Sequence, residues 1–297
     1  MSDIVLSAGE SAAEIKGRSL WVDAWRRLLG NRAAVVSMVA LGIIVLLALL
    51  APYLSPFPYD EVYWDFINAP PDLASGHFFG TDQNGRDLFV RTLYGGRVSL
   101  TVGIIATLVS LVIGVAWGAA AGFIGGRVDA VMMRIVDILY ALPFIFFVIL
   151  LTVVFGRYIV LIYVAIGAIS WLDMARIVRG QAISLKRREF IEGAIAGGVS
   201  TLNIVRRHII PNTLGPVVVY VTLTVPSVIL TESFVSFLGL GVQEPDTSWG
   251  VLISDGARNM ETAWWGLVFP GIFLAITLFC FNFIGDGLRD ALDPKDR

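Results

Sequence analysis

Val98–Ile124 reads VSLTVGIIATLVSLVIGVAWGAAAGFI, 27 residues without a single Asp, Glu, Lys or Arg, framed by Arg97 and Arg127. A helix climbs about 1.5 Å per residue, so about 20 apolar residues cross a hydrocarbon layer about 30 Å thick. The stretch is a membrane-spanning helix on that arithmetic, and it sets the scale for the rest of the chain. Upstream lies Ala33–Ala51, preceded by Arg26, Arg27 and Arg32 and closed by Pro52. Downstream come Ile138–Gly156 and Tyr158–Leu172, split only by Arg157, then Asn212–Thr231 and Trp264–Ile284. Tyr158–Leu172 is short and spans only if its helix continues through Asp173 toward Arg176. Alternatively it forms a re-entrant hairpin with its predecessor, leaving four full spans. The expected fold class is all-α: a polytopic transmembrane helical bundle of about six spans.

Composition points the same way. The chain is 56% hydrophobic and 15% charged, against about 25% charged in an ordinary soluble domain, which leaves too little charge to cover a water-facing surface. An even number of spans puts both termini on one side. With the amino end inside, 17 of the 22 Lys and Arg residues lie on that side, and only Arg86, Arg91, Arg97, Arg157 and Arg258 fall outside. Positive charge accumulates in cytoplasmic segments, so both termini are expected in the cytoplasm. The run at Ala33 is longer than a signal-peptide core, begins more than 30 residues in and lacks an A-x-A site, so it reads as a retained span. Residues 1–20 form a polar leader, and Leu20–Arg32 suits an amphipathic helix at the membrane surface. The expected division is a cytoplasmic segment 1–32, a first span 33–51 and a periplasmic loop 52–97. A five-span core 98–285 follows, with an internal loop 176–210 and a periplasmic loop 239–262, and then a cytoplasmic tail 286–297.

Several chemistries are excluded. A net charge of -2 offers no basic face to nucleic acid. A lone cysteine, Cys280, allows no internal disulfide, and His77 and His208 lie too far apart for a metal-ligand spacing. None of Lys16, Lys186 and Lys295 completes a P-loop, G-x-x-x-x-G-K-S/T, and neither G-x-S-x-G nor H-E-x-x-H occurs. The chain therefore reads as part of a solute pathway rather than an enzyme, driven by another chain or by an ion gradient. An ion-coupled carrier would show paired ionisable residues, broken helices or internal repeats; no pair and no repeat stands out.

Four features carry candidate function. Asp82, Asn84 and Asp87 offer oxygens, but without EF-hand spacing or its closing glutamate; beside Gly80 and Gly85 they read as hydrogen-bonded turns, with no metal. Gly114, Gly118, Gly122 and Gly126 fall at steps of four, a smooth stripe for close approach of a helix, either within the subunit or in a partner lining the pathway. Glu232 ends one apolar run and opens another, so it faces either a pathway cavity, where it would meet a substrate ammonium, or the hydrated outer interface. Asp137 and Asp173 lie near expected cytoplasmic ends and read as interfacial. The fourth feature is the internal loop. Phe190, Ile191, Ala194 and Ile195 share a face of a short helix within Lys186–Ala196, Gly197-Gly198 permits a sharp turn, and a second helix from Ser200 or Thr201 carries Leu202, Val205 and Ile209 before ending ahead of Pro211. Two short helices about a glycine elbow make a knob suited to a groove in a cytosolic partner.

That loop resembles the coupling motif of importer-type ABC permeases, E-A-A, three residues, G, nine residues, I-x-L-P. The match lies at Glu192-Gly-Ala194, Gly198 and Ile210-Pro211, with Gly193, His208 and Ile210 as departures. Gly80-Thr-Asp-Gln-Asn-Gly-Arg-Asp87, Gly96-Arg-Val-Ser-Leu100, Leu238-Gly-Leu-Gly-Val-Gln243, Ser248-Trp-Gly250 and Gly285-Asp-Gly-Leu-Arg-Asp-Ala-Leu-Asp-Pro294 are similar to peptide and nickel importer permeases of the second-subunit type. Ser170–Gly180 and Thr277–Asp286 resemble most the C-type subunits of oligopeptide importers. The likeness runs from about Leu20 onward. It implies an importer-type ABC permease fold in a bacterial inner membrane, one of two permease subunits in a heterodimer that forms the peptide pathway. It further implies two ATPase subunits that use ATP and Mg, so that this chain binds no cofactor itself, and a periplasmic or lipid-anchored peptide-binding protein. Dipeptides, nickel or another small solute are the alternative cargo. The resemblance assigns ATPase coupling to Glu192, Gly193, Ala194, Gly197, Gly198 and Pro211.

Overall fold

A computed structural model describes residues 20–292. The polar leader before Leu20 and the end of the tail, Lys295 included, lie outside the described residues. Within them the chain is helical, with one 3-10 turn, two isolated bridges and no strand.

Some of the helices begin where a single side chain caps them. Helix α1 (Leu20–Gly30) stops at Asn31, whose Oδ1 accepts from the Ala34 amide at 3.2 Å and so starts α2 (Arg32–Leu54). Pro52 does not close this span; it sits within the last turn, where a missing N–H removes only one bond. Helix α3 (Leu88–Ile124) starts well before Val98, because Asp87 Oδ1 accepts from Val90 N at 2.8 Å. It ends at Gly125, with φ at 73°. The loop expected over 52–97 therefore ends at Asp87. The third candidate is a bent pair, α4 (Gly126–Tyr140) and α5 (Phe144–Phe155), turned by 77°. Pro143 lies at the break, where it disfavours helical geometry in Leu142.

Helix α6 (Ile159–Lys186) runs through Asp173 and Arg176 for 28 residues, so the fourth candidate is a full-length helix rather than the short arm of a hairpin. It also takes up the first part of the internal loop. After Arg187 and Arg188 come α7 (Glu189–Ala196), a turn at Gly197-Gly198, and α8 (Thr201–Ile204). The second short helix does not end before Pro211. It passes through a π turn, Val205–Ile209, into α9 (Ile210–Phe237). In that turn the Ile210 amide bonds to the Val205 carbonyl, and the widened ring makes room for a proline that a regular helix would drive into the carbonyl four residues back. Helix α9 also continues past Thr231, which puts Glu232 inside it. Helix α10 (Trp249–Arg258) occupies the segment 239–262, and α11 (Trp265–Leu292) continues into what reads from sequence as the tail. Five of these helices are long and apolar enough to cross a membrane, six when α4 and α5 count as one.

Helix α3 is the axis of the bundle, packed against α6, α9 and α2. The glycine stripe makes its contact with α6 so close. A Cβ on Gly114 would lie 2.6 Å from Met174 Cβ, one on Gly122 would lie 2.5 Å from the Arg179 carbonyl, and Gly118 faces the Ala175 carbonyl. The stripe thus serves packing within the chain. Gly126 is not part of it; with φ at 58° it opens α4 and meets nothing. Helix α1 docks through Ala24 and Leu28 beside Leu288 and Ala291 of α11, and turns Trp25 and Leu29 outward.

Candidate functional site

Three sites can be built from this frame: a knob at one end of the bundle, a locked cluster at the other, and a cleft between them.

The knob is α7, the glycine turn and α8. Ile191 and Ile204 are its anchors, buried among Val115, Ala119 and Phe123 of α3 and Val178 and Ala182 of α6. Gly198 takes φ 75°, a conformation that favours glycine, while the Val199 amide returns to the Ala194 carbonyl at 3.1 Å and closes the end of α7. The apolar face expected on α7 is divided: Ile191 and Ala194 turn inward, whereas Phe190 and Ile195 are 48% and 49% exposed. On α8 the buried anchor is Ile204, and Leu202 is 75% exposed rather than sharing the core with Val205 and Ile209. The result is a rigid apolar protrusion with Arg187, Arg188, Glu189 and Glu192 exposed around it. Gly193 and Gly198 border open space, and Gly197 is exposed beside them. Pro211 lies beyond the π turn, exposed on α9 and off the knob.

The opposite end holds the motifs around Asp82, Gly96 and Trp249. Glu232 is completely buried and accepts from Ser99 Oγ at 2.9 Å and Ser236 Oγ at 2.7 Å. Ser99 Oγ accepts in turn from the Trp249 amide at 3.3 Å, and Trp249 Nε1 donates to the Thr92 carbonyl at 2.9 Å. Glu232 therefore ties α3, α9 and α10 together and faces neither a cavity nor a hydrated interface. Gly96 fits under the Trp249 ring, and Gly250 packs on Ser233. The Asp82 carboxylate forms the expected turn, accepting from the Asn84 and Arg86 amides, and pairs with Arg86 Nε at 2.8 Å. Arg86 also donates to Glu244 at 2.8 Å, which holds that carboxyl below its usual range. Asp87 caps α3 and lies 2.8 Å from His77 Nδ1; burial pushes its carboxyl up against those stabilising contacts.

Sequence reasoning missed the cleft. A space of about 440 Å3 opens between α6 and α9, with Ser170 and Asp173 on one wall and Tyr220, Thr224, Ser227 and Thr231 on the other. On α6 these residues follow Ile166 and Ile169 at helical spacing, so one face of each helix lines it. Asp173 reads as interfacial only while the fourth span ends at Leu172. In α6 it lies mid-helix. The signal that finds it is the lone carboxylate of the helix, one turn beyond Ser170 and ahead of Arg176 and Arg179.

A bundle with long spanning helices, a polar cleft and a rigid apolar knob defines a polytopic membrane permease. Comparison with known proteins is specific. The chain belongs to the family of binding-protein-dependent transport system inner membrane components, whose model matches residues 114–297. The N-terminal TM domain of oligopeptide transport permease C matches residues 19–71. Over 284 residues it is 63% identical to the oligopeptide transport system permease protein OppC of Escherichia coli K12, covering 96% of this chain and 94% of that one. It is 57% identical to OppC of Haemophilus influenzae over 96% of this chain and 91% of that one, and 46% identical to the dipeptide transport system permease protein DppC of Bacillus subtilis over 93% and 86%. The chain is thus a multi-pass inner-membrane component of a transport system.

Proposed function

We propose that this chain is one of two membrane subunits of an ATP-driven ABC importer for oligopeptides, forming half of the pathway and receiving the work of ATP hydrolysis through its knob. The observation that carries the reading is the knob itself: exposed Phe190, Ile195 and Leu202 fixed to the core by Ile191 and Ile204. An apolar protrusion held this firmly suits a groove on a soluble ATPase. The partners are then a different permease subunit, two ATPase subunits that bind ATP and Mg, and an external peptide-binding protein. This chain itself is non-catalytic and holds no cofactor. Both termini and the knob face the cytoplasm, supported by 17 of 22 basic residues lying on that side. Oligopeptides are the cargo named for the OppC relatives, and dipeptides are the second reading through DppC.

The test uses Ser200→Cys, exposed beside the turn, in a Cys280→Ser background. It is expected to crosslink to a co-expressed ATPase subunit and to react with a membrane-impermeant thiol reagent only from the cytoplasmic side. Labelling from outside the cell would refute the orientation and the coupling role together. Glu192→Ala is expected to cut peptide uptake about tenfold or more while the chain still inserts, the scale of losing a docking contact.

A further inference from the structure

Helix α6 carries Asp173, Arg176 and Arg179 within two turns of its second half, and their surroundings differ. Arg179 is held by Asp129 of α4, with Nη2 at 2.7 Å from Oδ2, and Arg176 is held by Asp137 of α4 at 3.0 Å while lying over the Tyr140 ring. Asp173 points the other way, into the cleft, and makes no hydrogen bond or ion pair among the described residues. A carboxylate at mid-helix without a partner is expensive unless it faces water or a ligand.

Of the five hydroxyls around it, all but that of Tyr220 have committed their protons. Ser170 donates to the Ile166 carbonyl at 2.8 Å, Thr224 to Tyr220 at 2.8 Å, Ser227 to Leu223 at 3.2 Å and Thr231 to Ser227 at 2.8 Å, each four residues back in its own helix. A hydroxyl so bonded retains only lone pairs for anything else. These four hydroxyls and the Asp173 carboxylate therefore offer the cleft acceptors and negative charge.

We propose that this cleft is a binding station for N–H donors, in which Asp173 receives a substrate ammonium and the four hydroxyls accept further N–H groups. The inference rests on the chain's role as half of a peptide pathway and adds the chemistry of the contact. A peptide has two sources of such a cation, its α-ammonium and a lysine-type side chain.

The experiment has two parts, both with the full complex reconstituted in vesicles. In the first, Ser227→Cys in a Cys280→Ser background is exposed to a cationic aminoethyl and an anionic sulfonatoethyl thiosulfonate reagent. The cationic reagent is expected to react about tenfold faster, the scale of electrostatic focusing in a charged cleft, and Asp173→Asn is expected to erase the preference. Equal rates with Asp173 intact would overturn the inference. Whether modification blocks uptake tests the pathway reading separately: a charge preference with unaffected uptake would confirm an electronegative cleft but overturn capture of substrate in it. In the second part, Asp173→Asn is assayed for ATP-driven uptake of trialanine and of Ala-Lys-Ala. Loss for both, restored by Asp173→Glu, supports capture of the α-ammonium, and loss for Ala-Lys-Ala alone supports capture of the side chain. Unchanged uptake of both peptides, or failure of Asp173→Asn to co-purify with the second permease subunit, would sink the proposal, the latter by making the carboxylate an intersubunit ion-pair partner.

Discussion

Glu232 and Asp173 are both carboxylates deep in long helices, and their partners decide their roles. Glu232 is enclosed by hydroxyls from its own helix and from α3, so it acts as a fastener. Removing it strands the Ser99 and Ser236 hydroxyls and leaves a void. Glu232→Ala is expected to cost about 2–4 kcal/mol of stability, from lost buried hydrogen bonds and cavity formation. Glu232→Gln is expected to cost less, because hydroxyl rotors can switch from donor to acceptor. Melting of the detergent-solubilised chain measures both. A Glu232→Ala variant with unchanged melting and lost uptake would return this residue to the pathway. Neither role is legible from apolar runs alone. Each run stops at the carboxylate, so each residue looks like the end of a span. Ser99 lies 133 positions from Glu232, and no local pattern announces their meeting.

At the scale of elements, hydropathy reveals that the helices exist but not where they end. Leu88 belongs to α3 because of one carboxylate at Asp87, and Pro211 sits inside a helix because one turn widens. Such ends are set by single side chains and by local ring geometry, which leave little trace in a window of apolar residues. The glycine stripe is legible as a contact face, and the structure supplies its partner, α6. Gly118→Leu would press a side chain onto the Ala175 carbonyl, and since backbone cannot yield as a side chain does, a loss of about 3 kcal/mol or more is expected. Reduced yield of folded protein with a lower melting point checks this; wild-type stability would mean the two helices do not pack so closely. The knob behaves differently, because its outward residues leave about half or more of their surface uncovered by the chain. Leu202→Asp is expected to leave the melting point within about 0.5 kcal/mol of wild type, as for exposed positions generally. The same substitution is expected to weaken ATPase attachment about 30-fold, the effect of losing about 2 kcal/mol at a docked anchor. Co-purification of the ATPase subunits reads the second effect, and undiminished recovery would show that Leu202 lies outside the docking face.

For the whole molecule, the arrangement of the knob and the cleft suggests how one drives the other. Helix α6 ends at the knob and carries Asp173 on the cleft wall. The chain leaves the knob through α8 and the π turn directly into α9, the other wall. Ile191 and Ile204 fix the knob to the same core that holds α3 against α6. A force on α7 and α8 is therefore delivered to both walls of the cleft without an intervening flexible loop, while the cluster around Glu232 and Trp249 pins the far ends of α3, α9 and α10. A pinned end and a driven end make a lever. If the walls must shift against each other during transport, joining them should stop the cycle. Ser170→Cys with Ser227→Cys, in a Cys280→Ser background, places one thiol on each wall. A reducible bifunctional thiol reagent is expected to abolish uptake in reconstituted vesicles, and cleaving the bridge is expected to restore the rate measured before bridging. ATP hydrolysis followed in the same vesicles then shows whether the knob still cycles against a locked cleft. Full uptake with the bridge in place would mean that α6 and α9 move as one body, and that access changes at the interface with the second permease subunit.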